Sequence, residues 1–155
     1  MKITANKQAL QTAFDAVRGC LPSRSPKPVL TNVKLSCGVD VTLEATDMER
    51  SMLYRVSGVD VRQPGTVLIP GAKFGDILRE TPDDEIDVYD DDKGNLHFKS
   101  KSGRFRVATE DATLFPSAPE MDGDAMQIRA GDLAVGVKRT VFAAATENSR
   151  YALAS

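Results

Sequence analysis

The chain has 155 residues, of which 41% are hydrophobic, 27% charged and 6% aromatic, a composition that excludes a disordered or collagen-like protein. Two cysteines without a CxxC, Cys20 and Cys37, and a single histidine, His97, exclude a disulfide scaffold and a Cys/His zinc site, and no apolar run approaches the roughly 18 residues of a membrane span. Twenty basic and 22 acidic residues leave a net charge of −2, which as an average offers a polyanion no attraction.

In chain order, residues 1–5 read as a strand and Asn6 is placed to cap a helix. Leu10, Ala13, Phe14 and Val17 recur at i, i+3, i+4 and i+7, which predicts a helix with one buried face. Gly19 ends it, and Pro22, Pro26 and Pro28 forbid its continuation, leaving 19–27 as a loop that carries Ser23, Arg24, Ser25 and Lys27. Strand patterns follow at 29–36, 41–46 and 51–61, completing a β-α-β-β-β unit. The order then repeats. Residues 67–70 form a strand, 73–80 a helix with Phe74, Ile77 and Leu78 inward, and Thr81-Pro82-Asp83-Asp84 a break before strands at 85–89, 95–101 and 104–109. The expected fold class is α+β: two β-α-β-β-β units with helices on one face of an antiparallel sheet.

After Phe115-Pro116-Ser117-Ala118-Pro119 and an acidic linker, a third copy begins. Ile128-Arg129-Ala130 echoes Ile3-Thr4-Ala5 as a strand, and Leu133, Val137 and Val141 mark another helical face beside Phe142 and Ala145. A strand and helix of about thirty residues have no core of their own, so the chain reads as the N-terminal part of a longer protein. Met1-Lys2-Ile3-Thr4 opens without the apolar stretch of a signal peptide, and the expected location is the cytoplasm.

Charge follows these elements. Residues 6–27 carry Lys7, Arg18, Arg24 and Lys27 against Asp15, a net of +3, and residues 127–155 carry Arg129, Lys138, Arg139 and Arg150 against Asp132 and Glu147, a net of +2. Residues 82–126 hold twelve acids and five bases, a net of −7. Basic charge is therefore expected on helices and their loops, and acidic charge on strands and hairpins, so that a fold gathering the helices on one side presents a basic face. Lys7, Gln11 and Arg18 fall within about 40° on a helical wheel and are phosphate candidates, with a solvated helix flank as the plainer reading. The acids Asp83, Asp84, Glu85, Asp87, Asp90, Asp91 and Asp92 invite a metal site, but their spacing does not fit an EF-hand and a solvated hairpin is the simpler reading. His97 is expected to be exposed on a strand, and Cys20 and Cys37 to be small core or near-surface residues. No Walker motif, HExxH or GxSxG is present, and no catalytic residue, cofactor or metal ligand is assigned.

Several segments together resemble one family. Met1-Lys2-Ile3-Thr4, the helix around Leu10 and Phe14, the Arg24 loop, Pro28-Val29-Leu30-Thr31-Asn32, Thr46-Asp47-Met48-Glu49, Ile69-Pro70-Gly71-Ala72-Lys73-Phe74, Arg104-Phe105, Phe115-Pro116 and Asn148-Ser149-Arg150-Tyr151 are similar, in order, to the bacterial DNA polymerase III beta subunit, the replication sliding clamp. The resemblance implies a first clamp domain over 1–125 and the truncated start of a second over 127–155. It implies a non-catalytic processivity factor whose two subunits close head to tail around double-stranded DNA of any sequence, with the replicative polymerase and clamp loader as partners and no membrane. Arg24, with Lys27, Asn148 and Arg150, is then expected on the DNA face, although Glu147 beside them is an acid and departs from that role. Lys73, Arg104, Phe105 and Val107 are expected at the subunit interface, and Arg150, Tyr151 and Leu153 at the edge of a pocket for partner peptides. A solvated loop arginine and an ordinary charged edge strand are the plainer alternatives for Arg24 and for Arg104. Two rival functions stay open: a β-rich protein-interaction module without nucleic acid, and a metal-dependent hydrolase using the acids between Asp83 and Asp92.

Overall fold

The computed structural model describes residues 1–91, 93–116 and 126–144. In the first of its two units, Met1–Ala118, strand β1 (Lys2–Asn6) runs directly into helix α1 (Lys7–Val17). Asn6 makes the junction: its backbone is extended, and its side-chain oxygen accepts hydrogen bonds from the amides of Gln8 (2.8 Å) and Ala9 (3.2 Å), two donors that a helix start leaves open. Leu10, Ala13, Phe14 and Val17 are all buried, as their spacing predicts. The helix does not stop at Gly19 but tightens into a 3-10 turn, Arg18–Cys20.

Pro28–Thr31 is a second 3-10 turn, with Pro28 at the first position, where a missing N–H breaks no bond. The strand expected over 29–36 is for that reason β2 (Asn32–Cys37). It is followed by β3 (Val41–Thr46), β4 (Ser51–Val56), β5 (Val59–Gln63), β6 (Gly65–Pro70), α2 (Gly71–Glu80), β7 (Glu85–Asp90), β8 (Asn95–Lys99) and β9 (Arg104–Ala108). The run 51–61, read as one strand, is two. Gly58 interrupts it at φ +69°, a left-handed conformation that a glycine adopts without strain, and the chain passes there from one sheet to another.

The strands form two antiparallel sheets, ordered β5-β1-β7-β8-β9 and β4-β3-β2-β6, and not the single sheet suggested by the repeat. Each repeat lends its leading strand to the other: β1 pairs with β7 from Lys2↔Tyr89 to Asn6↔Glu85, and β6 pairs with β2 from Asn32↔Pro70 to Cys37↔Gly65. Alternation then sets the core. Ile3, Ala5, Ile86, Val88, Leu96 and Phe98 line the inner face of one sheet, and Val33, Leu35, Leu43, Ala45, Val67 and Ile69 that of the other. Phe74 of α2 is fully buried among them, its ring 5.4 Å edge-on from Phe14 of α1 and 5.7 Å from Phe98 of β8. One side chain thus joins both helices to the five-stranded sheet, each aromatic pair adding about 0.5–1.5 kcal/mol beyond area burial. At the β6 edge of the four-stranded sheet the backbone of Leu68 bridges to that of Glu110, and on the outer face Lys34 lies 3.1 Å from Glu44 and 5.5 Å from the centre of the Phe115 ring. Those contacts strap the segment around Phe115 to the sheet.

In the second unit, helix α3 (Ala130–Thr140) leads into a 3-10 turn, Val141–Ala143, and Leu133 and Val137 are about half exposed. The strand expected at 128–130 is absent: residues 126–129 carry none, and Ala130 already begins the helix. β1 is a strand because β5 and β7 flank it, and among the described residues Ile128 has no such neighbour.

Gly75 shows how closely α1 and α2 pack. A Cβ at that position would lie 2.7 Å from Phe14 Cε1 and 3.1 Å from Cζ. In an open helix Gly→Ala gains about 1 kcal/mol, but the Phe14 ring is held against Phe74. Gly75→Ala is expected to lower the unfolding free energy by about 1–3 kcal/mol, as overpacking does, in a urea titration with an unchanged m-value.

Candidate functional site

A groove of about 440 Å³ runs between α1 and α2. Phe14 and Gly75 belong to its walls, Gln11, Arg18, Asp76 and Arg79 are its charged or polar lining, and Leu21, Pro22 and Ser23 border it. Gly71 allows that last contact, because a Cβ there would come within 2.8 Å of Leu21 Cδ1. Arg24 and Lys27 follow on the same loop, both exposed. Neither makes a salt bridge among the described residues.

The helix cations differ from these. Arg18 Nη1 lies 3.3 Å from Asp15 Oδ1, and Gln11 Nε2 donates to the other Asp15 oxygen at 3.2 Å. Lys7 donates through Nζ to the Thr81 carbonyl at 3.1 Å, so its ammonium ties α1 to the end of α2. Arg79 lies 2.6 Å from Asp76 and 3.2 Å from Glu80, and those carboxylates, Asp76 first, raise its guanidinium pKa above the ordinary value. The structure therefore brings Gln11 and Arg18 together with Arg79, which the sequence reading passed over although Asp76-x-x-Arg79 is an i,i+3 pair on a helix. The expected division of basic helices from acidic strands holds only as a segment average. The helices also carry Asp15, Asp76 and Glu80, and the β8–β9 hairpin exposes Lys99, Lys101, Arg104 and Arg106. Asn148, Arg150, Tyr151 and Leu153, with Glu147, lie outside the described residues.

A second surface lies at the edge of the five-stranded sheet, where β9, among the described residues, pairs on one side only, with β8. Lys73, Ile77, Phe105 and Val107 line a cleft of about 300 Å³ there, with Asp76, Glu80 and Arg106 around it. Phe105 is 37% exposed, a large ring at an open strand edge. Three of the four residues expected at an interface share this cleft, and the fourth, Arg104, is exposed on the same strand opposite Lys99.

The family model for the DNA polymerase III beta subunit, N-terminal domain, matches residues 1–119. The chain belongs to this family. It is 32% identical to the beta sliding clamp of Pseudomonas aeruginosa, over 99% of this chain and 42% of that protein, and 30% identical to that of Synechocystis, over 99% and 41%. Among solved structures, the DNA polymerase III beta subunit of P. aeruginosa superposes with a TM-score of 0.91 at 32% identity, covering 99% of this chain and 42% of that one. The sliding clamp of Bacillus subtilis superposes at 0.92 and 24% identity, over 97% and 42%, a likeness of fold alone. The chain thus spans about two fifths of the length of the curated relatives it matches. Among the described residues, no helix is long and apolar enough to cross a membrane.

In this beta-subunit domain the acidic run is spent on separate bonds. Asp83 accepts from the Ser102 amide (2.8 Å), Asp87 from the Thr4 hydroxyl (2.6 Å), and Asp90 pairs with the Met1 ammonium. Asp91 accepts from the amides of Lys93 and Asn95, both at 2.9 Å, and lies 2.9 Å from His97 Nε2. Asp92 lies outside the described residues. Among those described, no three His, Cys, Asp or Glu side chains gather to hold a metal. His97 is not the exposed residue expected: its side chain is 16% exposed, and cross-strand register stacks its ring on Tyr89 at 5.0 Å between centroids. Cys20 and Cys37 are buried free thiols, and burial pushes Cys37 up to about 11, so it stays protonated at neutral pH.

The hydrogen bond with His97, then those from Asn95, hold the Asp91 carboxyl well below the usual carboxylate range. A depressed folded pKa makes its contribution complete above the unfolded value of about 3.9 and progressively lost as pH falls toward the folded one. Asp91→Ala is expected to speed hydrogen exchange of the Lys93 and Asn95 amides about tenfold at neutral pH, and wild type and variant should converge only below about pH 4.

Proposed function

We propose that the chain is the first domain, over 1–125, and the start of the second, over 127–155, of a DNA sliding clamp. In the longer protein this is a non-catalytic subunit that closes head to tail with a second copy around duplex DNA and tethers the replicative polymerase in the cytoplasm. The observation that carries the reading is the solvent-facing groove between α1 and α2 bordered by a loop that offers Arg24 and Lys27 without carboxylate partners among the described residues. A ring that must slide has to hold phosphates, because hydrogen bonds to base edges would fix it at one sequence. Guanidinium, ammonium and amide groups on a helical surface suit that task. The β9 edge suits the other half of the proposal: an apolar centre at Phe105 and Val107 beside Lys73 and Arg104 fits pairing with an edge strand of the second subunit that carries acids.

Ring closure, and not affinity, keeps such a protein on DNA. The 155-residue chain, with only a few phosphate contacts, is therefore expected to bind duplex DNA in or below the roughly 10⁻⁴ to 10⁻⁶ M non-specific range. Fluorescence anisotropy across salt concentrations reads this directly, and Arg24→Ala should flatten the plot of log K against log salt by about 0.9. Nanomolar binding to one sequence at physiological salt would overturn the proposal. In the longer protein, Lys73→Glu is expected to weaken the subunit contact by about one to several kcal/mol by setting a like charge against an acidic partner. Analytical ultracentrifugation should show that loss for Lys73→Glu and an intact dimer for Arg24→Ala.

A further inference from the structure

The cations in the groove and on the loop that borders it fall into two kinds. Arg18 and Arg79, on or at the ends of the helices, each have a carboxylate one turn away: Asp15 at 3.3 Å and Asp76 at 2.6 Å, with Glu80 at 3.2 Å as a second partner for Arg79. Arg24 and Lys27 have none among the described residues, and the chain from Cys20 to Pro28 contains no acid at all. Both arginines of the first kind are about two-thirds exposed, and their acids about half exposed or more. Pairs so open to solvent add little stability. Their electrical effect is larger, since at a Debye length of roughly 10 Å in 0.1 M salt a nearby phosphate meets each arginine and its carboxylate together.

Resting on the DNA-facing reading above, we propose that Asp15 and Asp76 are built-in attenuators: they occupy Arg18 and Arg79 so that the helices touch phosphates weakly and the grip is concentrated at Arg24 and Lys27. To reach either arginine a phosphate must displace a carboxylate, exchanging one ion pair for another. Such an exchange releases few counterions, so the helix face contributes less to the salt dependence of binding than its number of basic residues suggests. Shallow, exchangeable contacts over most of a surface and firm ones in a single loop give a hold that is retained while the DNA moves.

The test uses the whole 155-residue chain, a short fluorescein-labelled duplex of mixed sequence and anisotropy from low to physiological salt. Asp15→Asn is expected to tighten binding several-fold at low salt and to steepen the salt slope by up to about 0.9 as Arg18 becomes available, and Asp76→Asn to do the same to a smaller extent, because Glu80 stays 3.2 Å from Arg79. Adding Arg79→Ala to Asp76→Asn should remove the gain. Asp60→Asn supplies the control: it removes the same charge and frees Arg62, 3.4 Å away, but on β5 at the edge of the five-stranded sheet, and it should leave the slope unchanged. If Asp76→Asn and Asp15→Asn behave like Asp60→Asn, or if the gain survives Arg79→Ala, the attenuation is wrong. That failure is distinct from failure of the clamp reading. Binding that Arg24→Ala weakens but Asp76→Asn does not strengthen removes the attenuation alone, whereas binding indifferent to salt and to Arg24→Ala removes both.

Discussion

Each of the two repeats hydrogen-bonds its leading strand into the other repeat's sheet, and the rest of the first unit depends on that exchange. β1 lies between β5 and β7, and β6 lies beside β2. Neither repeat can complete a core alone: Leu35 faces Leu43 of its own repeat on one side and Val67 of the other repeat on the other. The exchange also sets the helices. β1 runs without a loop into α1, and β6 into α2, so each helix starts from the sheet in which the other repeat supplies most of the strands. α1 leaves the five-stranded sheet and packs across β3 and β4, α2 leaves the four-stranded sheet to place Phe74 against Phe98, and the two helices meet side by side. The groove is a product of that meeting, and Gly71 and Gly75 keep its walls close.

Electrostatics in the groove follow from local chain geometry more than from net charge. On a helix, residues three apart are neighbours, so an acid one turn before an arginine reaches it without cost to the fold. Asp15 and Arg18, and Asp76 and Arg79, have this spacing. The loop between the 3-10 turns obeys another rule. Its prolines hold Arg24 and Lys27 outside any helical register, and no carboxylate is near in sequence, so their charge is left for solvent or for a ligand. Two stretches that look alike in a count of basic residues therefore differ in what they offer a phosphate.

Much of this was legible before any coordinates, and the parts that were not share a cause. α1 and α2 could be read because the Asn6 cap, the apolar spacing and the breaks at Pro22 and Pro82 are all local. The sheet partners of β1 are Gln63 and Tyr89 for a single residue, Lys2, and no local pattern encodes so distant a pairing. Gly58 had the chemistry of a corner, but its run of alternating residues on both sides reads as one strand. The sequence around His97 reads as an exposed strand position because its cover, the Tyr89 ring, comes from the neighbouring strand. The groove was half legible: a wheel of cations found Gln11 and Arg18, while Arg79 needed the acids on the wheel as well.

The comparison of α1 with α3 shows what periodicity by itself specifies. Both carry an apolar stripe at helical spacing, Leu10, Phe14 and Val17 in one, Leu133, Val137 and Val141 in the other, and both are eleven-residue helices followed by a 3-10 turn. The stripe of α1 is buried and that of α3 is exposed. The difference lies in the strands: α1 has β3 and β4 beneath it and β1 held in register before it, whereas the described residues around α3 include no strand. An amphipathic pattern therefore determines which side of a helix a sheet would cover, and the strands must come from elsewhere in the chain. In the first unit they come from both repeats at once, which is why the exchange of β1 and β6, and not the strength of either helical pattern, decides where the groove between α1 and α2 is built.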